Sequence, residues 1–227
     1  LNHIFILVAV FILPFAGLLF TRYLARDKTD KSKVRVYCLL IVLYIGAAAT
    51  TMQIRPVDEL FHPPHSFDAP LIVKSVLWSI VAYQAFMLVV PLLLTWRSPR
   101  MRAAVAKEYV GKRETFPKTT RGLVVFSILA FVTGIAEEMM YRWFAYQYFL
   151  ADWGLPAWVA LIAVSILFGL AHFQQGVERM IDTALLGVAL SWLYLTSGSL
   201  MVPIIFHIAY NLKVVLTTIA IKKSQVH

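Results

Sequence analysis

Residues 133–149 read TGIAEEMMYRWFAYQYF, and the fold and the function both turn on how this stretch is taken. It is apolar enough to lie in a membrane, yet it carries Glu137, Glu138 and Arg142. A charged side chain near the bilayer centre costs about 2.5 kcal/mol or more, so such groups face a pocket or a partner. In a helix, residues four apart share a face, which stacks Glu138 on Arg142. Glu137 sits about 100° round the same helix. One carboxylate is then neutralised by its own helix while the other points elsewhere, an asymmetry that suits a base held beside a structural ion pair. The bland alternative is a buried polar network that packs helices together.

The rest of the chain agrees with a membrane setting. Its 227 residues are 60% hydrophobic with a mean hydropathy of +0.73, against about 45–50% apolar for ordinary soluble domains. The expected fold class is all-α, a polytopic bundle of transmembrane helices in a single integral-membrane domain over residues 1–227. The formal net charge is +9. Because the basic residues cluster between apolar runs, they speak for membrane orientation and against nucleic-acid binding. Cys38 is the one cysteine. It cannot form an internal disulfide and reads as a small buried hydrophobe. No cleavable signal peptide is evident, since Leu1 opens an apolar run with no basic segment before it.

Runs of about 20 apolar residues cross a bilayer, and seven are expected: 4–24, 36–54, 71–96, 122–150, 157–173, 181–195 and 200–221. Residues 1–96 then hold three scaffold spans, 97–121 a basic cytoplasmic segment with a surface helix over 99–110, and 122–223 the catalytic spans. The fourth span exceeds the bilayer core, so it is tilted, kinked near Gly134, or broken into two passes, which would make eight. Basic residues in short loops favour the cytoplasm. They fall between spans one and two, between three and four, and after spans five and seven, which predicts an outside N-terminus and a cytoplasmic C-terminus. The expected location is a prokaryotic cell membrane. His62 and His65 are flanked by Pro63 and Pro64 and read as an irregular loop.

The later spans add His172, which ends the run Phe168-Gly169-Leu170-Ala171-His172, and His207 with Asn211, four apart on one face. The first three spans carry no comparable cluster, which points to one site between spans four, five and seven. Glu137 and His172 can share a proton and activate a water. His207 and Asn211 carry donors able to meet a developing oxyanion. A base plus an oxyanion hole is a hydrolase layout that needs no serine or cysteine nucleophile.

Glu137-Glu138-x-x-x-Arg142, Phe168-x-x-x-His172 and His207-x-x-x-Asn211 resemble the three motifs of the CPBP family. That family holds the CAAX prenyl endopeptidases and the bacteriocin-processing and abortive-infection-type membrane proteases. The resemblance runs from about Leu123 to Val215. It implies an intramembrane endopeptidase of glutamic type, without a cofactor, acting on a membrane-associated protein or peptide. It implies that Glu137 and His172 activate water, that His207 and Asn211 form the oxyanion site, and that Glu138, Arg142 and Phe168 support the site. Members of the family commonly have eight spans.

Three rival readings compete. A zinc protease would take His172, His207 and Glu137 as ligands, although no His-Glu-x-x-His motif is present and Asn211 is a poor zinc ligand. A non-enzymatic scaffold or regulator of membrane partners would use the same groups for packing. A transporter would relay protons through them. One geometric conflict accompanies the protease reading: Glu137 lies roughly 24 Å along span four from Arg121, whereas His172 is expected near the cytoplasmic end of span five. Smaller features read plainly. Trp143, Phe144, Tyr146 and Tyr148 are packing or interface aromatics, Lys213 snorkels, Asp182 caps span six, and Glu178 and Arg179 are loop charges.

Overall fold

The computed structural model describes residues 29–55, 69–112, 117 and 119–223. The expected first span, much of the first basic segment and the His62/His65 loop lie outside the described residues. Among the described residues the protein is all-helical, with no strand. The α-helices are α1 (Asp30–Ile54), α2 (Leu71–Arg97), α3 (Pro99–Lys112), α4 (Thr120–Glu138), α5 (Ala157–Leu170), α6 (Val177–Ser197) and α7 (Met201–Lys223). Five helices are long and apolar enough to cross a membrane, and α5 is a shorter apolar one.

The helices are inside-out relative to a soluble bundle. On α4 the side chains of Val124, Ile128, Phe131 and Ile135 are exposed, and on α5 those of Trp158, Ile162, Ile166 and Leu170. Steps of three and four residues put each set on one face, as lipid contact requires. The buried core instead gathers round the aromatic run after Glu138, with Trp143, Phe144, Tyr146 and Tyr148 at its centre beside Phe168, Leu190 and Tyr194. Cys38 differs from expectation: it is exposed on the outer face of α1.

The long fourth span is one continuous element from Thr120 to Asp152. It is not broken into two passes. Beyond Glu138 it widens into π-helix over Met139–Ala145 and again over Tyr148–Asp152. Such bulges are rare and concentrate at functional sites. Gly134 serves a different purpose. A Cβ there would stand 2.7 Å from Ile208 Cγ1, so its absence lets α7 cross α4 closely.

α1 runs parallel to this long element. Asp30 at the start of α1 accepts a hydrogen bond from the Thr119 N–H at 2.5 Å. Thr119 in turn caps α4 by accepting from the Gly122 N–H at 3.1 Å. At the other end Arg55 pairs with Asp152 at 2.8 Å. α1 also begins earlier than expected, taking in Lys31, Lys33 and Arg35.

α5 packs along α6, α4 against α7, and α2 against both α6 and α7. α6 opens at Val177, capped by Gly176, whose φ of +96° no other residue adopts easily. Glu178 and Arg179 are therefore in its first turn rather than in a loop, and Asp182 is internal to the helix instead of capping it. Lys213 does not snorkel outward. Its Nζ donates to the Met87 carbonyl at 3.1 Å and lies 4.3 Å from the Tyr210 ring centroid. The reason sits four residues on: Pro91 has no N–H to return to Met87, so that carbonyl is free to accept from Lys213.

Candidate active site

Glu137 and Glu138 end the regular part of α4, and both are buried. Glu138 is fully enclosed. Its Oε1 accepts from Arg142 Nη1 at 2.9 Å and from His207 Nδ1 at 2.7 Å. The i,i+4 pair read from the sequence is present, and α7 adds a third member. Arg142 is held further by the Gly187 carbonyl of α6 at 3.2 Å and lies 4.5 Å over the Phe168 ring. Charge-assisted bonds of this kind are the strong ones, and a guanidinium over an aromatic face adds cation–π attraction.

Glu137 turns the other way. Its Oε1 accepts from the Tyr44 hydroxyl of α1 at 2.8 Å, and its Oε2 stands 3.6 Å from His207 Nε2. The His207 imidazole therefore lies between the two carboxylates. Nδ1 bonded to a carboxylate carries a proton, so Nε2 is the nitrogen presented to Glu137 and to anything bound beside it.

Phe168 is the hub of the site. Its ring lies 5.0 Å from Tyr141, 5.2 Å from His172 and 5.7 Å from His207, measured between centroids, and the His207 contact is edge-on at 90°. Both imidazoles thus flank one phenyl ring. His172 follows the end of α5, and its Nδ1 lies 2.9 Å from the Phe168 carbonyl. A carbonyl only accepts, so Nδ1 carries the hydrogen and the neutral ring offers Nε2 as a base.

The length of α5 bears on the depth conflict. It ends at Leu170 after 14 residues, followed by a turn and a short 3-10 segment, Phe173–Gln175. At 1.5 Å per residue it is about 21 Å long, short of the roughly 30 Å hydrocarbon core. His172 shares the Phe168 ring with His207, which puts the two imidazoles at one level of the bundle. Counted from the turn at 153–156, it lies about as far down α5 as Glu137 lies down the long element.

Asn211 is placed on the same face of α7 as His207, but its amide donates to the Ala130 carbonyl and to Thr133 Oγ1, both at 3.3 Å. In this arrangement it clamps α7 to α4 one turn before the carboxylates. Among the described residues no group of three or more His, Cys, Asp or Glu is placed to hold a metal ion.

Tyr44 escaped the sequence reading. The only hint was a hydroxyl in the middle of an apolar span, and nothing local connects it with a carboxylate 93 positions away. The π-helix left no signal either, since its aromatic residues fit an α-helical core equally well.

No curated protein and no solved structure matches the chain. Residues 119–213, which contain all three motifs and every polar side chain of the site except Tyr44, match the family described as type II CAAX prenyl endopeptidase Rce1-like, so the resemblance of this segment to that family of membrane proteases is shown.

Proposed function

We propose that the protein is an intramembrane endopeptidase of glutamic type that hydrolyses a peptide bond in a membrane-associated protein or peptide. The observation that carries the reading is the pair of adjacent buried carboxylates with divided duties. Glu138 is consumed by Arg142 and His207, while Glu137 keeps Oε2 beside His207 Nε2. His207 lies between the two carboxylates and Arg142 on the far side of Glu138, so donors and carboxylates alternate through the site.

In this reading a water bound at Glu137 Oε2 gives up a proton to the carboxylate as its oxygen adds to the scissile carbonyl carbon. His172 Nε2, the free nitrogen of its ring, helps to hold and deprotonate that water. The oxyanion is met by His207 Nε2–H and by the Asn211 amide, which leaves Ala130 when substrate is bound. The proton then passes from Glu137 to the amide nitrogen and the C–N bond breaks; the second proton of the water passes through His172 to the departing amine, so a carboxylate and an ammonium leave. No step needs a metal. The substrate class follows the family: a prenylated C-terminus, with leader peptides and C-terminal sorting helices as the other candidates.

The test is cleavage by the purified full chain in detergent. The probes are a farnesylated peptide ending in a C-a-a-X motif and an unprenylated leader peptide. Glu137→Ala and His172→Ala are each expected to lose about 10²–10⁴-fold in rate, and a chelator to leave the wild type unchanged. Folded variants as active as wild type would return these residues to a packing role in a scaffold. Loss of activity to chelator with rescue by zinc would replace the metal-free mechanism.

A further inference from the structure

We infer that Tyr44 is a positioning residue for Glu137: its hydroxyl holds one carboxylate oxygen and thereby sets the plane of the group, so that the other oxygen faces His207 and the attacking water. This rests on the glutamic reading above and extends the site to a helix outside the segment that carries the motifs.

The geometry singles Tyr44 out. It donates to Glu137 Oε1 at 2.8 Å, and its ring packs against the aromatic core. A carboxylate can rotate about its last torsion, which is broad and roughly two-fold. Glu137 has no second short hydrogen bond to stop that rotation, because His207 Nε2 stands 3.6 Å away. Glu138, by contrast, is pinned by two donors on one oxygen. Without Tyr44 the carboxylate plane would be free to turn, and neither oxygen would be held facing His207.

The position of Tyr44 is itself fixed. α1 is tied to the long element on both sides of it, by Asp30 to Thr119 and by Arg55 to Asp152. Tyr44 lies between those ties, so its hydroxyl reaches Glu137 from a helix that can neither slide nor turn freely. A residue serving only to fill space would need no hydroxyl at this place, and the apolar side chains common elsewhere in α1 would do.

Tyr44→Phe keeps the ring and removes the bond. The experiment compares kcat, KM and melting temperature of wild type, Tyr44→Phe and Glu137→Ala, as purified full chains on the farnesylated C-a-a-X peptide and the leader peptide. The expected result is a fall in kcat of about 10- to 100-fold, the scale of a catalytic group left loosely aimed, with KM and melting temperature unchanged. Wild-type kcat in Tyr44→Phe beside an inactive Glu137→Ala overturns this inference and leaves the glutamic reading standing. A raised KM at constant kcat makes Tyr44 a substrate contact and also overturns it. So does a loss of activity that tracks a lowered melting temperature, which makes the residue structural. An active Glu137→Ala, or no cleavage of either peptide, overturns both.

Discussion

Replacing Glu138 by Gln should separate the two adjacent carboxylates by stability rather than by activity. The substitution is isosteric, so the packing round the side chain survives and only the charge is lost. In the native site one oxygen of Glu138 takes Arg142 at 2.9 Å and His207 at 2.7 Å, and the Glu138 and Arg142 side chains are both 0% exposed. After the change Arg142 keeps the Gly187 carbonyl at 3.2 Å and the Phe168 ring at 4.5 Å, but no anion touches it. Removing one partner of a buried ion pair costs about 3–5 kcal/mol. The contacts that remain argue for the lower end. For a chain of this length each kcal/mol moves the melting temperature by about 2–4 °C, which predicts a fall of roughly 6–12 °C. Glu137→Gln gives up the charge-assisted form of the Tyr44 bond at 2.8 Å and keeps a neutral one. That loss is worth about 1 kcal/mol, a shift of a few degrees at most. The assay is thermal unfolding of the purified protein in detergent, followed by intrinsic tryptophan fluorescence. If the two variants melt together, the division between a structural and a free carboxylate is wrong.

Two further perturbations address the scaffold. Lys213→Met should cost about 1–3 kcal/mol, the desolvation penalty of a stranded carbonyl, because it abandons the Met87 oxygen that Pro91 has already left unpaired. Adding Pro91→Ala restores a helical N–H to that oxygen, and the double variant should melt above Lys213→Met alone; additive losses would refute the link. Gly134→Val should lower cleavage by about 100-fold, as a misplacement on the 1 Å scale does, while circular dichroism stays helical. Its first added carbon would meet Ile208 Cγ1 at 2.7 Å and Ile208 N at 3.2 Å, pushing away the turn of α7 that holds His207. Unchanged cleavage would show that the crossing has slack.

What the sequence made legible is what a single helix can express. Hydropathy located α1, α2, the long fourth span and α7 to within a few residues, because about 20 apolar residues have one stable form in a bilayer. The Glu138–Arg142 pair was readable because i and i+4 stack whatever surrounds them. The errors fall where tertiary contacts decide. Glu178 and Arg179 look like loop charges until α6 is seen to begin at Gly176. Lys213 looks like a snorkelling residue until Met87 on another helix lacks a donor. Partners on other helices were hidden too: His207 carries no mark of also bonding Glu138, and Asn211 none of reaching Ala130 and Thr133.

The short α5 is the most consequential of these departures, because it sets where irregular backbone lies beside the proposed site. Irregular backbone within the hydrocarbon region persists only where protein buries it or where it lines a wet cavity. The chain leaves the α-helix at Ala171, passes through Phe173–Gln175 and turns at Gly176, with Phe173, Gln175 and Gly176 exposed. Exposed backbone of this kind, followed by the exposed charges of Glu178 and Arg179, is stable where water reaches it, which puts the end of α5 at or beside a wet face of the bundle. Ending it early keeps the histidine beside the Phe168 ring that also touches His207, where the proposed glutamic hydrolase would take up its water.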